Sequence, residues 1–126
     1  MRTKWIVLLP MMLFCLLPLS AVAECVKGDC QNGAGVFVFE NGDRYQGEFK
    51  DGQMHGKGSL INNDGSKYVG TFRNNKLNGH GILVRADGVK YVGEFRNNRI
   101  HGQGKLTSPT GKTLKGRFKN GEFIGQ

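Results

Sequence analysis

Residues 68–90 read YVGTFRNNKLNGHGILVRADGVK, and residues 91–113, directly after them, read YVGEFRNNRIHGQGKLTSPTGKT. The two stretches agree at 11 of 23 positions. The shared positions hold the aromatic residues, all of the glycines and a pair of asparagines. The chain is therefore built on a repeat of 23 residues, and a unit of this length cannot bury a core alone.

The columns of this repeat extend through most of the chain. A tyrosine, a glycine and a phenylalanine recur in fixed order every 23 residues, with a leucine once in the tyrosine column. We predict that the core of the repeat consists of Tyr45, Gly47, Phe49, Tyr68, Gly70, Phe72, Tyr91, Gly93, Phe95, Leu114, Gly116 and Phe118. Complete units are expected near 45–67, 68–90 and 91–113, with partial units at 33–44 and 114–126, as at the ends of other arrays.

The residues of each unit alternate as in a half-buried β-strand. In residues 44–50, RYQGEFK, the residues Tyr, Gly and Phe fall on one face and the polar and charged residues on the other. The returning segment, residues 56–60, places two glycines and a leucine on a single face. Because glycine is entropically unfavourable in strands, its recurrence indicates aromatic rings that lie against a neighbouring backbone.

These patterns predict an all-β protein, an elongated single-layer antiparallel sheet of about eight strands. The 20 glycines and the few aliphatic residues after residue 23 exclude a coiled coil and a doubly wound nucleotide fold. The strand near 112–119 is expected to be a sheet edge that accepts an acidic partner strand and repels a second copy, so a monomer is expected. Strands are predicted near 36–40, 43–50, 57–62, 66–73, 80–85, 89–96, 103–107 and 112–119.

The pattern Tyr-x-Gly-x-Phe, a short Asn/Gly-rich turn, His or Asn before Gly-x-Gly, and a closing Asp-Gly resembles the MORN repeat family. The resemblance covers residues 33–126 and implies that each unit is a β-hairpin and that the hairpins stack into a long, twisted sheet. The sequence departs from the family pattern at Leu114, which replaces the tyrosine, and at Asn75 and Asn98, which replace the turn glycine. In this family enzymatic activity resides in separate attached domains, so the resemblance implies a non-catalytic chain.

The first 23 residues are predicted to be a signal peptide. Arg2 and Lys4 precede an apolar core, and Ala21-Val22-Ala23 has the small-x-small pattern that signal peptidase accepts. Cleavage after Ala23 makes Glu24 the mature N-terminus and places the protein in the periplasm or outside the cell. An uncleaved membrane anchor is the alternative, because the apolar stretch nearly reaches the length of a bilayer span.

Cys25 and Cys30 are the two cysteines that remain after such cleavage. In an oxidising compartment an even pair predicts a disulfide, and residues 24–32 are expected to form an N-terminal cap around it. A redox-active pair is the alternative, but it calls for the closer Cys-x-x-Cys spacing and for a helix N-terminus.

No catalytic, cofactor or metal site is predicted. His55 and His101 share a column two units apart, which corresponds to roughly 19 Å in a sheet of hairpins. Glu48 and Glu94 are separated in the same way. Metal ligands must converge on one ion, and paired catalytic carboxylates must lie within about 9.5 Å of one another, so neither set can act together.

The chain is basic, and its basic residues recur with the repeat. After residue 23 it holds 16 Lys and Arg against 10 Asp and Glu. The face opposite the rings is expected to be charged, and it is either a solvated surface or an anion-binding strip. The candidate anion-binding residues are Lys50, Arg73, Arg96, Lys119, Lys67, Lys90, Lys115 and Arg117.

These observations favour an exported, non-catalytic repeat scaffold that binds a protein partner. One alternative is a binder of anionic surfaces, meaning phospholipid head groups, lipopolysaccharide or acidic cell-wall polymer, a class of ligand that the family resemblance also allows. A second alternative is an accessory subunit of an envelope enzyme. Nucleic acid is disfavoured as a ligand, because single-strand binders place basic residues and stacking rings on the same surface.

Overall fold

The structure is a computed structural model that describes residues 22–126. The predicted signal peptide, apart from its last two residues, lies outside the described residues. Within them, no helix is long and apolar enough to cross a membrane. The strands are β1 (Glu24–Gly28), β2 (Gly33–Val38), β3 (Arg44–Lys50), β4 (Gln53–Ile61), β5 (Lys67–Arg73), β6 (Lys76–Val84), β7 (Lys90–Arg96), β8 (Arg99–Thr107), β9 (Thr113–Lys119) and β10 (Glu122–Gly125).

All ten strands form one sheet in which each strand pairs with the next along the chain. Every pairing is antiparallel. The predicted fold class, a single antiparallel sheet of stacked hairpins, is confirmed, and the sheet has two strands more than the predicted eight. The additional strands are β1 and β10, which are short and show no regular alternation of apolar and polar residues.

The prediction that residues 112–119 form the sheet edge was wrong. Strand β10 pairs with β9, and Phe123 lies opposite Phe118. Residues 122–125 hold only one glycine and no tyrosine, so the repeat pattern did not reveal them as a strand. The basic strand β9 therefore has a neighbour on each side within the described residues.

The even-numbered strands of the full units begin about four residues earlier than predicted, directly after the turn. In the first full hairpin Gly47 pairs with Gly58, and Phe49 pairs with Met54, so three residues of β4 face a single residue of β3. Gly56 lies in this bend with φ of +85°, a left-handed conformation that favours glycine. This pairing buries an apolar column against Phe49 and its counterparts that was not predicted from sequence: Met54, Leu77 and Ile100.

The core is a continuous ladder of aromatic rings on one face of the sheet, which we call the aromatic face. Tyr45 packs edge-to-face against Phe49 of its own unit and Phe72 of the next, with ring centroids 5.0 and 4.9 Å apart. Tyr68 and Tyr91 each repeat this pair of contacts. The three tyrosines are at most 1% exposed, although within residues 22–126 no second layer covers the sheet.

Glycine makes this burial possible. Tyr45 lies flat across the returning strand, where a Cβ atom on Gly58 would overlap its hydroxyl and ring. The Tyr45 hydroxyl donates a hydrogen bond to the backbone carbonyl of Glu48 over 2.8 Å. The ring thus contacts glycine backbone on one side and phenylalanine rings on its edges, so a single sheet supplies its own core.

The two ends of the ladder differ. At the N-terminal end Cys25 and Cys30 form a disulfide with a Cα–Cα distance of 5.9 Å. A Cβ on Gly35 would lie 2.9 Å from the Cys30 sulfur, so the sulfur covers this glycine as Tyr45 covers Gly58. The disulfide therefore takes the place of the ring that a preceding unit would supply.

At the C-terminal end, the prediction that Leu114 belongs to the repeat core was wrong. Its side chain is 45% exposed. In the full units a tyrosine in this column is covered partly by the phenylalanine of the following unit, and no described residue supplies that ring for Leu114. Phe118, in contrast, is 4% exposed because Tyr91 and Phe123 lie against it.

The turn asparagines tie neighbouring hairpins together. The side-chain oxygen of Asn75 accepts a hydrogen bond from the Met54 backbone N–H over 2.8 Å, and the Asn75 backbone N–H donates to the Met54 carbonyl. Asn98 forms the same two bonds with Leu77. Both asparagines have positive φ, of 69° and 70°. They therefore tolerate the turn conformation of the glycine they stand for and add a bond that glycine cannot make.

We expect Phe72→Ala to lower the free energy of unfolding by about 3–5 kcal/mol, because it leaves a cavity between two tyrosine rings. The control is Leu114→Ala, which removes a half-exposed side chain at the end of the array and should cost about 1 kcal/mol. Urea unfolding monitored by circular dichroism measures both values. Equal losses would contradict the ring ladder as the source of stability.

Burial raises the pKa of the tyrosine hydroxyls. It raises the pKa of Tyr45 to about 12, with a further contribution from the Glu48 carboxylate, and that of Tyr68 to about 12. Burial also raises the pKa of Tyr91. The chain has three tyrosines, so all of them are in the ladder.

Stability should therefore be retained up to about pH 10, the ordinary pKa of tyrosine, and should fall as the pH rises from 10 to about 12. The unfolded chain releases its phenolic protons first, which draws the equilibrium towards unfolding. Tyrosinate absorbance and the β-sheet circular dichroism signal should change together across this range. Tyrosinate that forms near pH 10 in a fully folded sheet would contradict the prediction.

Candidate functional site

The face opposite the rings, which we call the opposite face, carries an open groove of about 880 Å³. Its lining residues come from six consecutive strands, β1 to β6, so the groove runs across the strands and along the array. The backbone of several glycines forms part of its floor, and the Cβ positions of these glycines face the rings on the other side of the sheet. We call this feature the glycine groove; its lining includes Lys27, Val36, Ser59, Val69 and His80, with Gly35, Gly47, Gly58 and Gly70.

The candidate anion-binding residues all lie on the opposite face, and all are exposed. Among residues 22–126 the only ion pair joins Arg85 to Asp87 over 2.7 Å, and neither belongs to the candidate set. The structure therefore leaves these cations without carboxylate partners in the part of the chain that it describes. The residues are Lys50, Lys67, Arg73, Lys90, Arg96, Lys115, Arg117 and Lys119.

The opposite face is not charged throughout, which corrects the expectation from sequence. Five aliphatic side chains in its middle are between 38% and 44% exposed. Val69 lies opposite Ile82 and Ile82 opposite Val92, so they form a row across three strands. Their exposure was not predicted from sequence, because the basic residues of this face recur with the repeat more regularly than these do: Ile61, Val69, Ile82, Val84 and Val92.

Two carboxylates on this face are engaged with the backbone. One oxygen of Glu48 accepts a hydrogen bond from the Lys57 N–H over 2.9 Å, and one oxygen of Glu94 accepts from the Gln103 N–H over 2.7 Å. In the unit between them, the Thr71 hydroxyl donates to the carbonyl of Asn78. These side chains brace the bend of the returning strand, a role that sequence spacing did not reveal.

The histidine column links adjacent hairpins. Nδ1 of His101 accepts a hydrogen bond from the Asn120 N–H over 3.2 Å, and the side-chain oxygen of Asn78 accepts from the Asn97 N–H over 3.3 Å. Nδ1 of His55 is buried without a hydrogen-bond partner among the described residues. Within residues 22–126, no group of three His, Cys, Asp or Glu side chains is arranged to hold a metal ion.

A second, more polar cleft lies on the opposite face near two of the turns. It has a volume of about 640 Å³ and lies between the turn that follows β5 and the turn that follows β7. Arg73, Lys76 and Arg96 line it together with Asn74, Asn97 and His101. We call it the arginine cleft. It gathers cations from two adjacent hairpins in one concave surface.

These features define a β-hairpin repeat protein with an open sheet, whose groove and cleft lie on the face opposite its rings. The MORN repeat profile matches residues 27–44, 45–67, 68–90 and 91–113, and the chain belongs to the MORN repeat family. The full units match the boundaries predicted from sequence, and the first match begins at residue 27 rather than 33. MORN repeats generally mediate protein or membrane interactions. No curated protein matches this chain significantly.

Proposed function

We propose that this protein is a non-catalytic scaffold that holds an extended segment of a protein partner in the glycine groove. The observation that carries the proposal is the course of the groove, which crosses six strands and follows the array. An extended chain fits such a channel along its length. The backbone of several glycines also lines this channel.

The lining of the groove suits an amphipathic segment. Val69, which is exposed, offers an apolar contact, and Lys27 and Lys57 also line the groove with cations. Hot spots of protein interfaces are desolvated apolar contacts surrounded by polar residues. A partner segment that alternates apolar and acidic side chains would match both parts of this lining.

The chain offers a matched pair of variants for the test. Val69 and Val92 occupy equivalent positions of adjacent units and are 43% and 42% exposed, but only Val69 lines the groove. With a photo-crosslinking residue at Ser59, we expect a partner from native extract to crosslink to the parent protein and to the Val92→Arg variant. Val69→Arg should lose the crosslink while it melts at the parent temperature. Equal labelling of both variants would exclude the groove as the binding site.

A second candidate function is the binding of anionic surfaces or polymers. It is favoured by the candidate cations of the opposite face, which make no ion pair among the described residues. An anionic ligand would supply the counter-charges that the chain itself lacks there, and this attraction would weaken as salt is added. The remaining alternative is an accessory subunit of an envelope enzyme. The identity of the crosslinked partner tests it: an enzyme favours the accessory role, and a protein without enzymatic activity favours the scaffold.

We further propose that the protein is exported and processed after Ala23. The support is the n-region, apolar core and small-x-small pattern of residues 1–23, together with the disulfide that directly follows them. N-terminal sequencing of the protein from its native host should begin at Glu24. An intact N-terminal methionine, or a different first residue, would contradict the proposed processing.

A further inference from the structure

Two like-charged cross-strand pairs lie side by side in the middle of the array. Arg73 lies directly opposite Lys76 in one hairpin, and Arg96 lies directly opposite Arg99 in the next. Residues directly opposite one another share a face of the sheet, and like charges in such positions repel and destabilise the pairing. The sheet thus places four cations close together at two adjacent turns.

The flanking hairpins avoid this arrangement. In the preceding hairpin Lys50 lies opposite Gln53, and in the last one Lys119 lies opposite Glu122. The repulsion is therefore a local feature of the two central units, and neither the repeat nor the fold requires it. A glutamine or a glutamate at the same position is compatible with the same turn.

The central cations surround a concave site. Arg73, Lys76 and Arg96 line the arginine cleft, which has a volume of about 640 Å³. The acidic residue in its lining is Glu94, and its carboxylate is already hydrogen-bonded to the Gln103 N–H over 2.7 Å. Three cations in the cleft thus face one carboxylate that is directed to the backbone.

From this geometry we infer that the arginine cleft is a binding site for a polyvalent oxyanion, a compact ligand with two or more phosphate or sulfate groups. This inference rests on the second candidate function and assigns it to one site. Arginine forms paired hydrogen bonds with phosphate oxygens, which lysine reinforces as a point charge. Equivalent residues of adjacent units lie about 9–10 Å apart, so a ligand with several anionic groups can engage both hairpins, whereas a single monovalent anion cannot.

The arrangement predicts that one residue change has two effects of opposite direction. Lys76→Gln, which gives Arg73 a neutral partner as Gln53 is for Lys50, should raise the melting temperature without ligand because a repulsion is removed. The same change should reduce the rise in melting temperature that tripolyphosphate produces in the parent protein. A change that merely damaged the fold would lower the melting temperature in both conditions.

Affinity for tripolyphosphate, measured by titration calorimetry at constant ionic strength, tests the location of the site. The double variant Arg73→Gln and Arg96→Gln should lose at least about tenfold in affinity. The control, Lys50→Gln with Lys119→Gln, removes the same charge from the same column and should bind within about twofold of the parent. Glu94→Gln keeps a side-chain oxygen that accepts the hydrogen bond from the Gln103 N–H. Because it removes the negative charge from the cleft, this variant should bind tripolyphosphate more tightly than the parent.

Two further arms identify the source of the anion and separate the hypotheses. If a lipid carries the phosphate groups, vesicles with phosphorylated inositol head groups should retain the parent protein more strongly than phosphatidylglycerol vesicles of equal charge. If neither kind of vesicle retains the parent protein but tripolyphosphate still binds, the ligand is soluble. Equal losses in the central and control variants would overturn the cleft but leave anion binding in place. Absence of binding by the parent to tripolyphosphate and to both vesicles would overturn both.

Discussion

The edge-to-face contact between a tyrosine and the phenylalanine of the next unit is the interaction on which this sheet depends. The Tyr45 ring joins Phe49 to Phe72, and each later tyrosine extends the chain of contacts by one unit. Such pairs stabilise beyond the area they bury, and glycine backbone beneath the rings lets them lie flat. A single-layer sheet has no second layer to bury its apolar face, so the ladder must provide the core. Each unit is therefore stable only beside its neighbours.

This dependence explains the chemistry of the two ends. A ladder that couples each ring to the next leaves an unmatched position at either terminus. At the start, Cys30 covers Gly35 and the disulfide closes the array with two small residues in place of a ring. At the other end Leu114 occupies the tyrosine column, and a half-exposed leucine needs no partner for a buried hydroxyl, as a tyrosine would. Phe123 covers the last phenylalanine of the ladder.

Sequence reasoning reached the sheet and its aromatic face because both follow from a period of two and a period of 23 residues. It failed where structure depends on pairing across strands. The column of Met54 recurs with the same period, but its burial follows from the bend at Gly56, which strand alternation does not predict. A prediction of the sites on the opposite face needs the strand register, which places Val69 beside Ile82 and Arg73 beside Lys76. The register of strand pairing decides which residues lie side by side on neighbouring strands, and the candidate sites consist of such neighbours.

The separation of the two faces explains how one repeat can hold different sites. The aromatic face is constrained in every full unit, because a change in one ring removes a contact from two units. The opposite face has no ladder of rings, and its residues differ from unit to unit at equivalent positions: glutamine, lysine, arginine and glutamate occupy 53, 76, 99 and 122. The glycine groove and the arginine cleft arise from such differences between units. The glycine groove lies in the first half of the array, where Ser59 has a shorter side chain than its counterparts Ile82 and Lys105, and the arginine cleft lies where cations of two central turns meet. A uniform ladder thus positions non-uniform chemistry along its length, and two ligands could be held at different units without competing for the same residues.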